Sequence, residues 1–291
     1  METLPKWIDM IVIPLLGVLI SLIFSAIIIL LIGENPIDAL NLMITGALGS
    51  TYGWGYTLYY ATNFIFTGLA VSVAFHARMF NIGGEGQAAI GGLGVAVVCL
   101  SFGWNHWVPA LLAASLGAAV FGALWAAIPA YLQAKHGSHI VITTIMFNFI
   151  GASLLNYLLV NVMRPEGSMD PATAKFAEAT HLPTLHDMLD LVGISFSKAG
   201  PANVSFVIAL LACVVVWLLI WHTRLGYQIR AYGHSESAAV YAGIKPFKII
   251  MVSMLISGAL AGVAGMFELT GPAGAITIDF NVGYGFTAII V

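Results

Sequence analysis

The sequence predicts an all-α integral membrane protein, a polytopic helical bundle of about eight spans. Three observations carry that expectation. Charged residues make up only 8% of the 291 residues and hydrophobic ones 60%, whereas a soluble domain is about a quarter charged, so lipid has to solvate most of the surface. Mean hydropathy is +0.96. The apolar residues are also gathered into long charge-free runs separated by short polar breaks. A net charge of −3 offers no basic face for nucleic acid.

A helix needs about 20 apolar residues to cross a bilayer. The first run, 10–32, follows Lys6 and carries no A-x-A-like cleavage site, so it reads as a retained helix and not a signal peptide. Residues 35–48, after the turn at Pro36, read as a short surface helix. Further spans are predicted over 58–75, 87–103, 108–133, 140–163, 203–221 and 249–267. An eighth begins at Tyr284 and is still apolar at Val291, which reads as the start of a crossing in a chain shortened at its C-terminus. The whole chain, 1–291, is thus expected to be one transmembrane domain with two larger loops, 164–202 and 223–248. Gly258-x-x-x-Gly262 and Ala88-x-x-x-Gly92 place small residues at helical spacing, which lets backbones approach closely.

The loops alternate in charge. Lys6, Arg78, Lys135, Arg224, Arg230, Lys245 and Lys248 fall on one side, while Arg164, Lys175 and Lys198 fall on the other beside Glu166, Asp170, Glu178, Asp187 and Asp190. The excess of basic residues predicts a cytoplasmic N-terminus and a cytoplasmic 223–248 loop, with 164–202 facing outward.

Four polar features interrupt the apolar background. Residues 78–87 bring a cation, an acid, amides and glycines, among them Asn81, Gly83, Glu85 and Gln87, to the edge of a membrane core. Unpaired, such groups cost several kcal/mol in lipid. The stretch is either a helix break at a pathway or intramembrane junction, or an ordinary short cytoplasmic turn with Glu85 in water. The loop 223–248 runs from Gly226 to Pro246 and holds alanines that favour a short helix starting at Ser235. That helix either seats in a groove on a partner or is a solvated loop that orients the protein by its charge. Asn63, Thr143, Thr144, Asn148, Asn156 and Asn161 lie within apolar runs, with Thr144, Asn148 and Gly151 on one face. They either contact a hydrogen-bonding solute or bond between helices, the latter worth about 0.6 kcal/mol each. Glu268 and Asp279 flank Gly271-Pro272-Ala273-Gly274, a broken segment near the outer face, with Phe267, Phe280 and Tyr284 close by. Glu268 either lines a pathway or meets water at the interface, and the aromatics either stack on a flat ligand or anchor helices.

Catalytic and metal patterns are missing from the sequence: it has no P-loop, no G-x-S-x-G and no H-E-x-x-H. Cys99 and Cys213 sit in apolar runs and suggest neither a disulfide framework nor a metal site. The histidines fall mostly near span ends.

Thr67-Gly68-Leu69-Ala70-Val71-Ser72-Val73-Ala74-Phe75, followed by Phe80-Asn81-Ile82-Gly83-Gly84-Glu85-Gly86-Gln87, resembles the signature of bacterial ABC-transporter permeases of the branched-chain amino acid/ribose group, in the form found in its nucleoside and simple-sugar branch. Ile142-Thr143-Thr144-Ile145-Met146-Phe147-Asn148 is similar to that family's "ITTIMLN" stretch. Residues 223–233 and Ala238-Ala239-x-Tyr241-Ala242-Gly243-Ile244 resemble the cytoplasmic loop that docks on its ATPase. Two departures stand out. Ile140 occupies the place where the family often carries an acid, and the family continues past Val291.

The resemblance implies a transport subunit that does no covalent chemistry and binds no cofactor, ATP being used by a separate ABC ATPase. It implies a second permease subunit, self or paralogue, a periplasmic or lipoprotein solute-binding protein, and a bacterial inner-membrane location. It makes Arg230, Glu236, Ala238, Ala239 and Gly243 candidates for ATPase coupling. The candidates along the solute path are Asn81, Gly83, Glu85, Gln87, Thr144, Asn148 and Glu268. A proton-coupled secondary transporter using Glu85, Glu268 or Asp279 is the rival reading, and a membrane scaffold a third.

Overall fold

The computed structural model describes residues 8–190, 193–278, 280 and 283–290. Lys6, Asp279 and Val291, singled out above, lie outside them. The described residues are helical, with two isolated antiparallel bridges and no strand.

A π-helical turn, Ile8–Val12, leads into α1 (Ile13–Ile32), which ends at Gly33 with φ 94°. Helix α2 (Pro36–Leu48) starts on proline, and the Asn35 side chain accepts from the Ile37 amide. Helix α3 (Thr51–His76) begins seven residues before its apolar stretch, because Ser50 caps the Gly53 amide. After it come α4 (Gly84–Ser101), α5 (Trp107–His136, capped by His106 and closed by Gly137) and α6 (Ile140–Asn161). A one-turn helix α7 (Leu185–Asp190) precedes α8 (Ser205–His222). Helices α9 (Arg224–His234) and α10 (Glu236–Tyr241) form the connection to α11 (Pro246–Glu268), and α11 runs into a π-helical turn, Leu269–Ala273.

Seven of these helices, α1, α3, α4, α5, α6, α8 and α11 with its π turn, are long and apolar enough to cross a membrane. They match the seven complete runs read from the sequence. Among the described residues the segment from Tyr284 forms only a four-residue helix, α12 (Tyr284–Thr287), with Tyr284 and Gly285 buried. It is held by α3 and α4 instead of running free.

Helix α11 is the axis of the bundle and packs against α5, α3 and α4. Glycine makes this possible. A Cβ on Gly91 would strike the Gly262 backbone, and one on Gly122 would strike Gly258 and Gly262, so the three helices meet backbone to backbone. Phe267, Met266, Leu269 and Ile276 are fully buried in the main core with Leu159 and Ala118. At the other extreme, no residue of α1 is buried, and its main neighbour is α2.

The segment 164–202 folds back on the broken end of α11. The Thr173, Phe176 and Leu182 amides donate to the carbonyls of Ile276, Gly274 and Thr270 at 3.0, 2.8 and 2.9 Å. Thr184 and Asp187 cap α7 reciprocally: the Thr184 hydroxyl donates to Asp187 Oδ2 at 2.7 Å, and the Asp187 amide donates back at 3.2 Å.

Candidate functional site

The polar break between α3 and α4 does not lie at the bundle's end. After Arg78, whose φ is 57°, the chain turns inward. Asn81 Nδ2 donates to Ser257 Oγ at 2.8 Å and to Gln87 Oε1 at 2.9 Å, while Asn81 Oδ1 accepts from the Gly83 amide and from Gln87 Nε2. Ser257 in turn donates its hydroxyl hydrogen bond to the Ala70 carbonyl at 2.6 Å. Ser257 stands about 16 Å along α11 from its first residue at 1.5 Å per residue, so α4 starts deep within the bundle. Asn81, Gln87 and Thr144 are no more than 2% exposed. This burial overturns the solvated-turn reading for residues 79–87.

A helix that starts inside a membrane leaves its first amides without water to bond. Asn148 of α6 answers that need. Its Oδ1 accepts the Gly86 amide and its Nδ2 donates to the Ile82 carbonyl, both at 2.8 Å. Gly86 is glycine because Asn148 and Phe147 leave no room for a Cβ. Thr144 packs beside Gly83 and bonds its own helix at the Ile140 carbonyl, 2.8 Å away. Five path candidates, Asn81, Gly83, Gln87, Thr144 and Asn148, therefore form one cluster whose hydrogen bonds are made within the protein.

The remaining two, Glu85 and Glu268, meet through a segment that sequence reasoning did not connect to them. Glu85 sits in the first turn of α4, where a carboxylate suits the helix dipole. Its two oxygens accept the amides of Gly283 and Gly285, each at 2.8 Å. Between those glycines, Tyr284 donates its hydroxyl to Glu268 Oε2 at 2.9 Å. Glu268 is brought there because α11 breaks just beyond it, at Gly271 (φ −107°, ψ −116°) and Pro272, which has no amide proton to give.

Against this turn lies a face of α3. Tyr284 meets Phe64 edge to face at 6.3 Å, and Tyr52, Tyr56, Tyr60 and Phe64 continue as a row of ring contacts. On the same helix Asn63 is fully buried, its amide close to the Tyr284 hydroxyl but in full hydrogen-bond geometry with no described residue, and the buried Tyr59 hydroxyl is unbonded. Buried polar groups without partners are rare. Asn63 was visible in the sequence as an intramembrane polar residue. Tyr59 was not, although the run of aromatics at helical spacing marked its helix.

The coupling candidates occupy the far end of the bundle. Ser235 does cap α10, accepting from the Ala238 amide at 3.3 Å, and Gly243 makes the turn out of it with φ 82°. Glu236 and Ala238 are exposed. Ala239, a coupling candidate, does not face outward: it is 3% exposed and packs inward with Ile229, Tyr232, Ile244 and Met254. The outward side of α10 instead carries Val240 and Tyr241, the latter 97% exposed. Burial, reinforced by the neighbouring Glu236 charge, pushes the Tyr232 hydroxyl up to about 12. Arg230 places its guanidinium over the Trp221 ring of α8, 4.4 Å from the centroid.

Comparison with known proteins identifies the setting of these features. Residues 53–291 match the family model described as branched-chain amino acid transport system / permease component. The guanosine ABC transporter permease protein NupP of Bacillus subtilis is 34% identical over 98% of this chain and 80% of its own length. The glucose ABC transporter permease protein TsgB13 of Haloferax volcanii is 32% identical over 99% of this chain and 75% of its own. The nucleoside ABC transporter permease protein NupB of Lactococcus lactis is 33% identical over 88% and 70%. No solved structure matches the chain.

Proposed function

This chain belongs to the branched-chain amino acid transport system permease family, and from that premise we propose that it forms the path for a neutral, hydrogen-bonding ring solute, a nucleoside or a simple sugar. It is a multi-pass membrane permease subunit of an ABC importer, a transport subunit and not the ATPase. An importer of that class works with an ATPase and a solute-binding protein. Kinship with ABC permeases decides against the proton-coupled rival.

The cargo reading rests on one observation above all: the Tyr59 hydroxyl and the Asn63 amide, the latter only loosely engaged by Tyr284, are under-satisfied on α3 beside the Tyr284–Glu268 pair. An amide offers a donor and an acceptor in one plane, and aromatic faces stack on flat rings. Relatives named for guanosine, nucleosides and glucose are consistent with such a solute. We place the 164–202 segment, clasped to the end of α11, toward the solute-binding protein, and α9–α10 in the cytoplasm of a bacterial inner membrane, where the exposed side of α10 meets the ATPase. The N-terminus is then cytoplasmic. A second permease copy or paralogue completes the path. ATP acts in the partner alone.

The test is uptake of labelled guanosine and of labelled glucose by the reconstituted importer. Asn63→Leu should cut uptake of the true cargo at least about tenfold, the scale of one lost buried hydrogen bond, with the ATPase still bound. Full uptake through Asn63→Leu removes the proposed contact.

A further inference from the structure

At the α9 end of the bundle a cavity of about 440 Å³ opens between the last turns of α3 and α8 and the side of α9. Its polar lining is cationic or imidazole: Arg78, Arg230, His76 and His234, with no acid among the lining residues. Glu236, the acid of α10, lines the neighbouring pocket with Tyr232 and Arg78, so Arg78 stands on the wall between the two spaces.

The guanidinium of Arg230 is held by a ring contact. Its Cζ sits over the Trp221 ring, 4.4 Å from the centroid, and its buried Nε has no hydrogen-bond partner among the described residues, an orphaned donor at the edge of a cationic space. Arg78 reaches the same cavity from a backbone conformation that side-chain-bearing residues rarely adopt. Helix α9 is pressed close enough to hold these groups together because Gly233 rests on the His76 carbonyl, where any Cβ would collide.

The depth of the cavity follows from its apolar rim. Phe75 and Trp221, at the ends of two spanning helices, are 62% and 52% exposed. Large exposed rings at helix ends mark the boundary between acyl chains and headgroups. A site with two guanidinium groups on one wall and lipid-facing rings on the other suits a phosphate that arrives attached to acyl chains. A carboxylate on a water-borne partner protein would gain nothing from the exposed rings. We propose that this cavity binds the phosphate of an anionic phospholipid headgroup between Arg78 and Arg230.

The experiment takes the purified full chain in detergent and measures, by native mass spectrometry, how much added phosphatidylglycerol and phosphatidylcholine it retains. Retention should favour phosphatidylglycerol, by about fivefold for each arginine that meets the phosphate. Arg230→Gln should lose its share of the preference and Arg230→Lys should keep most of it. Arg78→Asn should lose about fivefold as well. It is an exposed site, and asparagine accepts the left-handed conformation, so this variant keeps the fold even if Arg230 variants do not. Equal retention of the two lipids, or an unchanged preference in Arg78→Asn, overturns the proposal. Displacement of the lipid by millimolar inorganic phosphate assigns the site to free phosphate, and loss of ATPase co-purification with lipid retention intact assigns it to a partner's acid. Either result overturns the lipid assignment.

Discussion

Asn148 holds two backbone groups of the α4 approach at once, the Gly86 amide and the Ile82 carbonyl. Asn148→Ala strands both where no water reaches, which should lower stability by about 1–3 kcal/mol. Asn161→Ala, at an exposed residue that bonds only its own helix, should stay within about 0.5 kcal/mol. Thermal unfolding in detergent separates the two. Asp187 sets a pH dependence at the same scale. Hydrogen bonds from the Thr184 hydroxyl and amide hold its carboxyl below the ordinary 3.8. A carboxyl depressed on folding stabilises at pH values above its unfolded value, and that contribution is lost as pH falls through the folded value. Protease sensitivity of the 164–202 segment should therefore rise on acidification below the ordinary carboxylate range. Asp187→Asn should flatten that rise.

Among elements, α10 separates what was legible in the sequence from what was not. Its Ser235 cap and its place between Gly226 and Pro246 could be read directly, because capping chemistry is local. Which side of six residues faces inward could not, because alanines sit on both sides and only the packing of α9 under α11 chooses Ala239. Ala239→Trp should therefore overpack the permease itself, by about 1–3 kcal/mol. Tyr241→Ala should leave the fold intact and weaken ATPase co-purification by about 2 kcal/mol or more if α10 is the docking element. The start of α4 shows a different limit. Its glycines fit a tight turn in water as well as a close approach inside a bundle, and a local pattern cannot tell them apart. The bonds from Gly283 and Gly285 to Glu85 join residues 198 and 200 positions apart and leave no local mark at all.

For the molecule as a whole, hydropathy located the seven helices long and apolar enough to cross because lipid penalises every charged residue, yet the most apolar of them, α1, is the one packing gives the least to do. Leu19 of α1 is 54% exposed and Met254 of α11 is fully buried. Leu19→Ala should change stability by less than about 0.5 kcal/mol and Met254→Ala by about 2–5 kcal/mol, measured as shifts in the unfolding midpoint. The Gly283–Gly285 turn reaches further than either. It grips one carboxylate through main-chain amides and the other through a phenol, so the two acids cannot part while it stays put. Widening the bundle on the Glu268 side pulls on the root of α4, and widening it at that root pulls on Glu268. One short turn thus ties the start of α4 to the end of α11, so a displacement of either helix end is carried to the other.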